Sequence, residues 1–366
     1  MQDENDHSSP VASDVAAHPD AGILVGSDNQ AGAHPKVLQA LTAASSGLVP
    51  AYGEDALSDR VTQRLSALFE TECDVFLVAT GTAANSLILS AMCPPWGAIL
   101  CHQGAHIIND ENTAPEFFTG GARQIGVPGE LGKPDHHAIR EQVKISQLHG
   151  VHNVKPSVIS LTNATEQGTV LQPDEVAEFG ELAKACNLGL HMDGARFANA
   201  IASSGASPAD MTWRSGVDAL TFGATKNGAI AAEAVVLFND RYSEDFAYRR
   251  KRSGHLWSKH RFLAAQFDAY LCDDLWLENA RYANRLATKL ATGLGAIEGV
   301  SLPWPTEANE VFPVIPATIN RALEAAGFVY YPWPVMENMK RFVTSFATAE
   351  ADIDRLLVVA REAAQG

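Results

Sequence analysis

The chain has 366 residues, 46% of them hydrophobic, with 28 Gly and 18 Pro. That length can bury a large core and leaves room for a second, smaller unit. Lys and Arg number 27 against 43 Asp and Glu, a net charge of −16, and no stretch collects enough cations to follow a phosphate backbone, which argues against nucleic acid and anionic membrane as partners.

In chain order, residues 1–21 are polar and acidic with no apolar core, the composition of a flexible tail rather than of a secretory leader. Short apolar runs then recur between helical patterns, at Asp74 to Ala79, Ala98 to Cys101, Ser157 to Leu161, Leu188 to Met192, Ala219 to Phe222 and Ala234 to Phe238. Runs apolar on both faces predict buried, mostly parallel strands. Between them, Val176, Phe179, Leu182, Ala183 and Cys186 repeat at helical spacing behind Pro173. The alternation predicts an α/β large domain over residues 22–262.

Beyond that point Tyr282, Leu286, Leu290 and Leu294 mark a long helix. A smaller α+β C-terminal domain over residues 263–366 is expected to follow, with strands at Glu310 to Ile315, Phe328 to Tyr331 and Arg341 to Phe346. A closing helix carries Ile353, Leu356, Leu357 and Ala360, with Thr348 as its expected N-cap. The five cysteines are odd in number and irregularly spaced, with no pairing of Cys and His at zinc-ligand distance. No metal site is expected, and a reducing, cytoplasmic compartment is. No apolar run reaches the ~18 residues that a membrane-spanning helix needs.

Ligands of open α/β sheets bind where strands end, and three strand ends hold chemistry. The first runs into Thr80-Gly81-Thr82, a turn of small residues before a helix, where free N–H groups and the positive end of the helix dipole would hold a phosphate. The second ends in Asp193-Gly194-Ala195-Arg196. A buried carboxylate there needs a cation, and a pyridinium nitrogen is one. The third ends in Gly223-Ala224-Thr225-Lys226, a lone lysine among small and apolar residues, a setting that favours the neutral amine a Schiff base requires. Each alone also reads as ordinary structure: a capped helix, an Asp–Arg pair, a solvated loop lysine. Together, in this order, they are the phosphate, ring-nitrogen and aldehyde anchors of pyridoxal 5'-phosphate. A nicotinamide dehydrogenase is disfavoured, because no G-x-G-x-x-G joins a strand to a helix.

With these residues, and with Ser27-Asp28, Tyr52 to Asp55, Gln103 to His106, His191 to Arg196, Gly223 to Gly228 and Arg341 to Thr344 in the same order, the chain resembles the L-threonine aldolases, in their bacterial low-specificity form. These belong to the β-eliminating lyase group of fold-type I, aspartate-aminotransferase-like enzymes. The resemblance implies a mainly parallel sheet and aldol cleavage of β-hydroxy-α-amino acids such as L-threonine, L-allo-threonine or phenylserine to glycine and an aldehyde. Another fold-type I lyase or an aminotransferase would share every anchor.

It also implies roles. Gly81 and Thr82 hold the phosphate, Asp193 the ring nitrogen, Arg196 the phenolic oxygen, and Lys226 the covalent link. His106 stacks on the ring. Ser27 and Arg341 bind the substrate carboxylate, a task that suits a guanidinium fork. Tyr52 faces the site across a subunit boundary, and Lys251, in the basic run Arg249 to Arg252, reaches the neighbouring subunit's phosphate, so a homodimer or homotetramer with shared sites is implied. The chain departs from the family at Ser160 to Gly168, where many members carry a second histidine and this one has Thr165 and Glu166. The base for the β-hydroxyl proton is therefore open between His106 and Glu166. His191 reads as a packed histidine.

Overall fold

A computed structural model describes residues 22–365. The expected tail over residues 1–21 lies outside the described residues. The centre is a seven-stranded sheet: β1 Asp74–Val78, β2 Gly97–His102, β3 Arg123–Val127, β4 Lys155–Thr162, β5 Gly189–Gly194, β6 Ala219–Gly223 and β7 Glu233–Leu237. Their spatial order is β1-β7-β6-β5-β4-β2-β3. All neighbouring pairs are parallel except those of β7, which is antiparallel to both β1 and β6.

Consecutive residues of a strand enter different cores, which is why these runs are apolar on both faces. Leu77, Leu100, Ile159 and Val236 pack into one cluster with Phe69, Phe179, Phe222 and Trp276. Val78, Ile99, Val158 and Val235 pack into another with Leu87, Ile88 and Phe246. Phe222 of β6 lies edge-on to Phe69, Phe197, Phe267 and Trp276, with ring centroids 5.3–6.2 Å apart. Such contacts add ~0.5–1.5 kcal/mol each beyond area burial. They hold β6, and so the loop after it, against the helices on that face.

The helix Pro173–Cys186 begins at its proline and stops at Asn187, whose φ of 56° and ψ of 47° end it in the left-handed region. All six expected strands form within a few residues of their predicted limits. The sequence reading missed β3, an edge strand whose Arg123, Gln124 and Gly126 break the apolar run.

The second unit differs more from expectation. Its strands are short, at Glu310–Val311, Tyr331–Pro332 and Lys340–Val343, because prolines and turns interrupt the longer runs predicted. Phe328–Val329 pairs instead, in parallel, with Ile23–Leu24. Val25 is buried with Leu286, Leu290, Leu294 and Phe342. The start of the described chain thus packs with the C-terminal unit, while Leu263, Phe267, Tyr270 and Trp276 pack on the sheet. The change of core falls inside the helix Leu275–Gly295 rather than at residue 262. Thr348 does not cap the last helix, Glu350–Gln365; its hydroxyl accepts from the backbone N–H of Ser345 at 2.9 Å. No helix among the described residues is long and apolar enough to cross a membrane.

Candidate active site

The carboxyl ends of β1, β4, β5 and β6 meet the amino end of β7 around a cavity of about 370 Å³. Register sets the arrangement. Thr162, Asp193 and Thr221 are partners across β4, β5 and β6, and Glu233 is aligned with both Val78 and Gly223. Because β7 runs antiparallel, its first residue rather than its last reaches this edge. The cavity is lined by Gly81, Thr82, His106, Glu166, Asp193, Arg196 and Lys226, so seven residues singled out from sequence come together in it. A larger hollow of about 860 Å³ near Met92, Phe118 and Arg249 carries no carboxylate and no lysine.

At the end of β1, Thr80 caps the helix Gly81–Met92 by accepting from the N–H of Ala83 at 3.2 Å. The N–H groups of Gly81 and Thr82 have no acceptor among the described residues, and a Cβ on Gly81 would meet nothing within 4 Å. Unpaired donors at a helix N-terminus beside open space suit an anionic oxygen.

Asp193 is buried, and both its oxygens accept hydrogen bonds: Oδ1 from the N–H of Ala195 at 2.9 Å, Oδ2 from Asn85 Nδ2 at 2.8 Å. Asn85 also donates to Glu111 Oε1 at 2.9 Å and accepts from Thr221 Oγ1 at 2.7 Å. Glu111 Oε1 in turn faces His106 Nδ1 at 3.0 Å, and that hydrogen bond raises His106 above its ordinary pKa, against burial. Ligand atoms of His106, Glu111 and Asp193 lie within 4.8 Å of one another. The Asn85 amide directs its hydrogens at both carboxylates, which opposes a cation at that point.

Glu166 Oε1 accepts from the backbone N–H of His106 and from Thr162 Oγ1, both at 2.8 Å, while Oε2 is buried without a partner. Burial pushes Glu166 up to about 7. Burial likewise pushes Glu233 up to about 7, although Thr225 donates to it. Lys226 sits on the single turn Thr225–Asn227, and among the described residues its amine has no hydrogen-bond or ion-pair partner.

Arg196 is largely committed. Its Nε and Nη2 grip Asp28 at 2.7 and 2.9 Å, and Nη1 faces Glu310 Oε2 at 3.5 Å. Burial alone would raise Asp28, but the Arg196 guanidinium, together with Lys226 and Asn309, outweighs it and holds the carboxyl below its usual range. What remains for a ligand is the second hydrogen of Nη2 and Nη1, which is turned toward Glu310.

Ser27 and Arg341 stand near the cavity but do not line it. Ser27 caps a short turn, accepting from the N–H of Asn29 at 3.2 Å. Arg341 donates to the carbonyl of Gly26 at 3.2 Å and lies over the rings of Tyr331 and Trp333, with its Nε buried and unpartnered. Tyr52 and Lys251 are elsewhere: Tyr52 is 46% exposed, and Lys251 Nζ lies 4.7 Å from its ring centroid. His191 is buried against Ser160 Oγ at 2.9 Å, as expected of a packed histidine.

Sequence reasoning missed Glu111 and Glu233, gave Asn85 no role, and left Asp28 without one although it stands inside a motif it singled out. Glu233 had one visible signal: it is a charged residue opening an otherwise apolar strand.

An α/β sheet with a lysine, a carboxylate and an open helix end on one cavity defines an aspartate-aminotransferase-like enzyme fold. Residues 25–317 match the family model of the β-eliminating lyases, and the chain belongs to that family. The low specificity L-threonine aldolase of Pseudomonas aeruginosa is 44% identical to it over 336 residues, covering 92% of this chain and 95% of that protein. The enzyme of the same name from another Pseudomonas strain is 41% identical, covering 90% and 94%. The threonine aldolase of Leishmania major superposes with a TM-score of 0.88 at 28% identity, over 93% of this chain and 99% of that one. An alanine–glyoxylate aminotransferase from a Nostoc species shares the fold, with a TM-score of 0.67 at 19% identity, over 94% of this chain and 95% of that one.

Proposed function

We propose that this chain cleaves β-hydroxy-α-amino acids, L-threonine and L-allo-threonine among them, to glycine and an aldehyde, with pyridoxal 5'-phosphate as cofactor. The observation that carries the reading is the meeting, in one cavity, of an open helix N-terminus, a buried carboxylate and an unpartnered lysine from three different strand ends. The cofactor fits what these residues lack: an anion for the Gly81 and Thr82 N–H groups, a cation for Asp193, and a carbonyl carbon for the Lys226 amine.

When bound, pyridoxal phosphate supplies a ring that accepts the electron pair released at the substrate's α-carbon. The chain's own residues do the rest. Asp193, held on both oxygens, favours a protonated ring nitrogen. His106 offers a flat face beside the cavity, and Arg196 offers the N–H groups that Asp28 leaves unused. Arg341, held near the cavity by its bond to the Gly26 carbonyl, binds the substrate carboxylate with help from the Ser27 hydroxyl. Glu166 Oε2 takes the proton of the β-hydroxyl as the Cα–Cβ bond breaks and the aldehyde leaves; a proton returned to Cα gives glycine.

Tyr52 and Lys251, exposed and paired away from this chain's cavity, serve the cavity of a second copy. The five cysteines, all free, suit a reducing cytoplasm.

Purified protein given L-threonine, L-allo-threonine and phenylserine should release aldehyde and glycine in equal amounts, and Lys226→Ala should release neither. Ammonia without aldehyde contradicts the aldolase reading. A carboxyl with a pKa of about 7 acts as a base only when ionised, so kcat/KM should fall as pH drops through about 7. Glu166→Gln should lower kcat by roughly 10²–10⁴ and erase that limb; an unchanged limb assigns the proton to another group. Sedimentation velocity should report a dimer or larger assembly, and a fully active monomer would rule out shared sites.

A further inference from the structure

The orientation of the Asn85 amide follows from its neighbours. Two carboxylate oxygens, Asp193 Oδ2 at 2.8 Å and Glu111 Oε1 at 2.9 Å, lie at its nitrogen, and the Thr221 hydroxyl lies 2.7 Å from its oxygen. Only the arrangement in which Nδ2 donates to both carboxylates and Oδ1 accepts from Thr221 satisfies all three. Both amide hydrogens are thereby committed, and the two carboxylates are tied through one side chain.

Glu111 Oε1 then accepts a second time, from His106 Nδ1 at 3.0 Å. An ionised carboxylate has no hydrogen to give, so Nδ1 carries the proton and Nε2 is the nitrogen left free to meet a ligand. The backbone N–H of His106 is also committed, to Glu166. Glu111 itself is buried, with its second oxygen unpartnered. Packing alone gives no reason to keep in the interior a carboxylate with one oxygen unpartnered.

We infer that Glu111 is a positioning residue: it locks His106 in the Nδ1–H tautomer and, through Asn85, couples the protonation of His106 to the carboxylate of Asp193. The coupling to a ring nitrogen rests on the proposed cofactor; the tautomer lock does not. The charged groups facing His106 are Glu111 and Asp193, which favour its protonation, Lys226, which opposes it, and Glu166 at its backbone N–H. Removing the charge of Glu111 should therefore lower the pKa of His106.

Nitrogen-15 NMR of histidine-labelled holoenzyme tests this, with His106→Asn assigning the resonance. The wild type should show the Nδ1–H tautomer. Glu111→Gln should lower the His106 titration midpoint by about one pH unit and mix the tautomers, because the amide can turn either its oxygen or its nitrogen to the ring. Glu111→Asp, which keeps the charge but retracts it, should move the midpoint less, and it serves if the Gln variant does not fold. A midpoint and tautomer unchanged in a folded variant overturn the proposal. A wild type that shows the lock but yields no aldehyde overturns the aldolase reading instead and leaves the lock standing.

Discussion

The carboxyl groups of Glu111, Glu166, Asp193 and Glu233 crowd the end of the sheet around the amine of Lys226, and the rest of the site is organised by that excess of acid. Arg196 does not relieve it, because its fork is spent on Asp28 and its remaining nitrogen faces Glu310. Each carboxyl is instead met by neutral donors: Asn85 serves Asp193 and Glu111, Thr162 and the His106 N–H serve Glu166, and Thr225 serves Glu233. In spite of these donors, burial pushes Glu166 and Glu233 up to about 7. A site built this way favours a ligand that brings a positive ring nitrogen to Asp193 and an electrophile to Lys226.

The sheet makes this crowding possible. Parallel strands bring Thr162, Asp193 and Thr221 to one edge in a single row, and the antiparallel β7 adds Glu233 between the helix cap and the lysine loop. The close approach has a steric condition at Gly194, where a Cβ would lie 2.5 Å from the carbonyl oxygen of Thr221. Glycine lets β5 turn out of the sheet there while Asp193 stays buried.

Much of this was legible in the sequence, for identifiable reasons. Strands buried on both faces leave unbroken apolar runs, so six of the seven could be read, whereas the edge strand Arg123–Val127 faces partly outward and reads as loop. The pairing of Ile23–Leu24 with Phe328–Val329 is a contact between distant segments and leaves no local pattern. In the site, Lys226, Asp193 and Gly81 stand at strand ends and are marked by their small neighbours. Asn85 is not, because its bonds reach residues 26, 108 and 136 positions away. Nothing in the spacing marks Glu111 as the partner of His106. The unsettled base gained a geometric candidate in Glu166 Oε2, a buried atom without a partner.

The central claim is that Lys226 carries the cofactor, and borohydride reduction of the holoenzyme followed by peptide mass mapping tests it most directly. Reduction fixes the link between the amine and the cofactor irreversibly, so the phosphopyridoxyl mass should appear on the peptide containing Lys226 and on no other. The label on Lys251 or another lysine, or no label in protein that still cleaves threonine, would contradict the account.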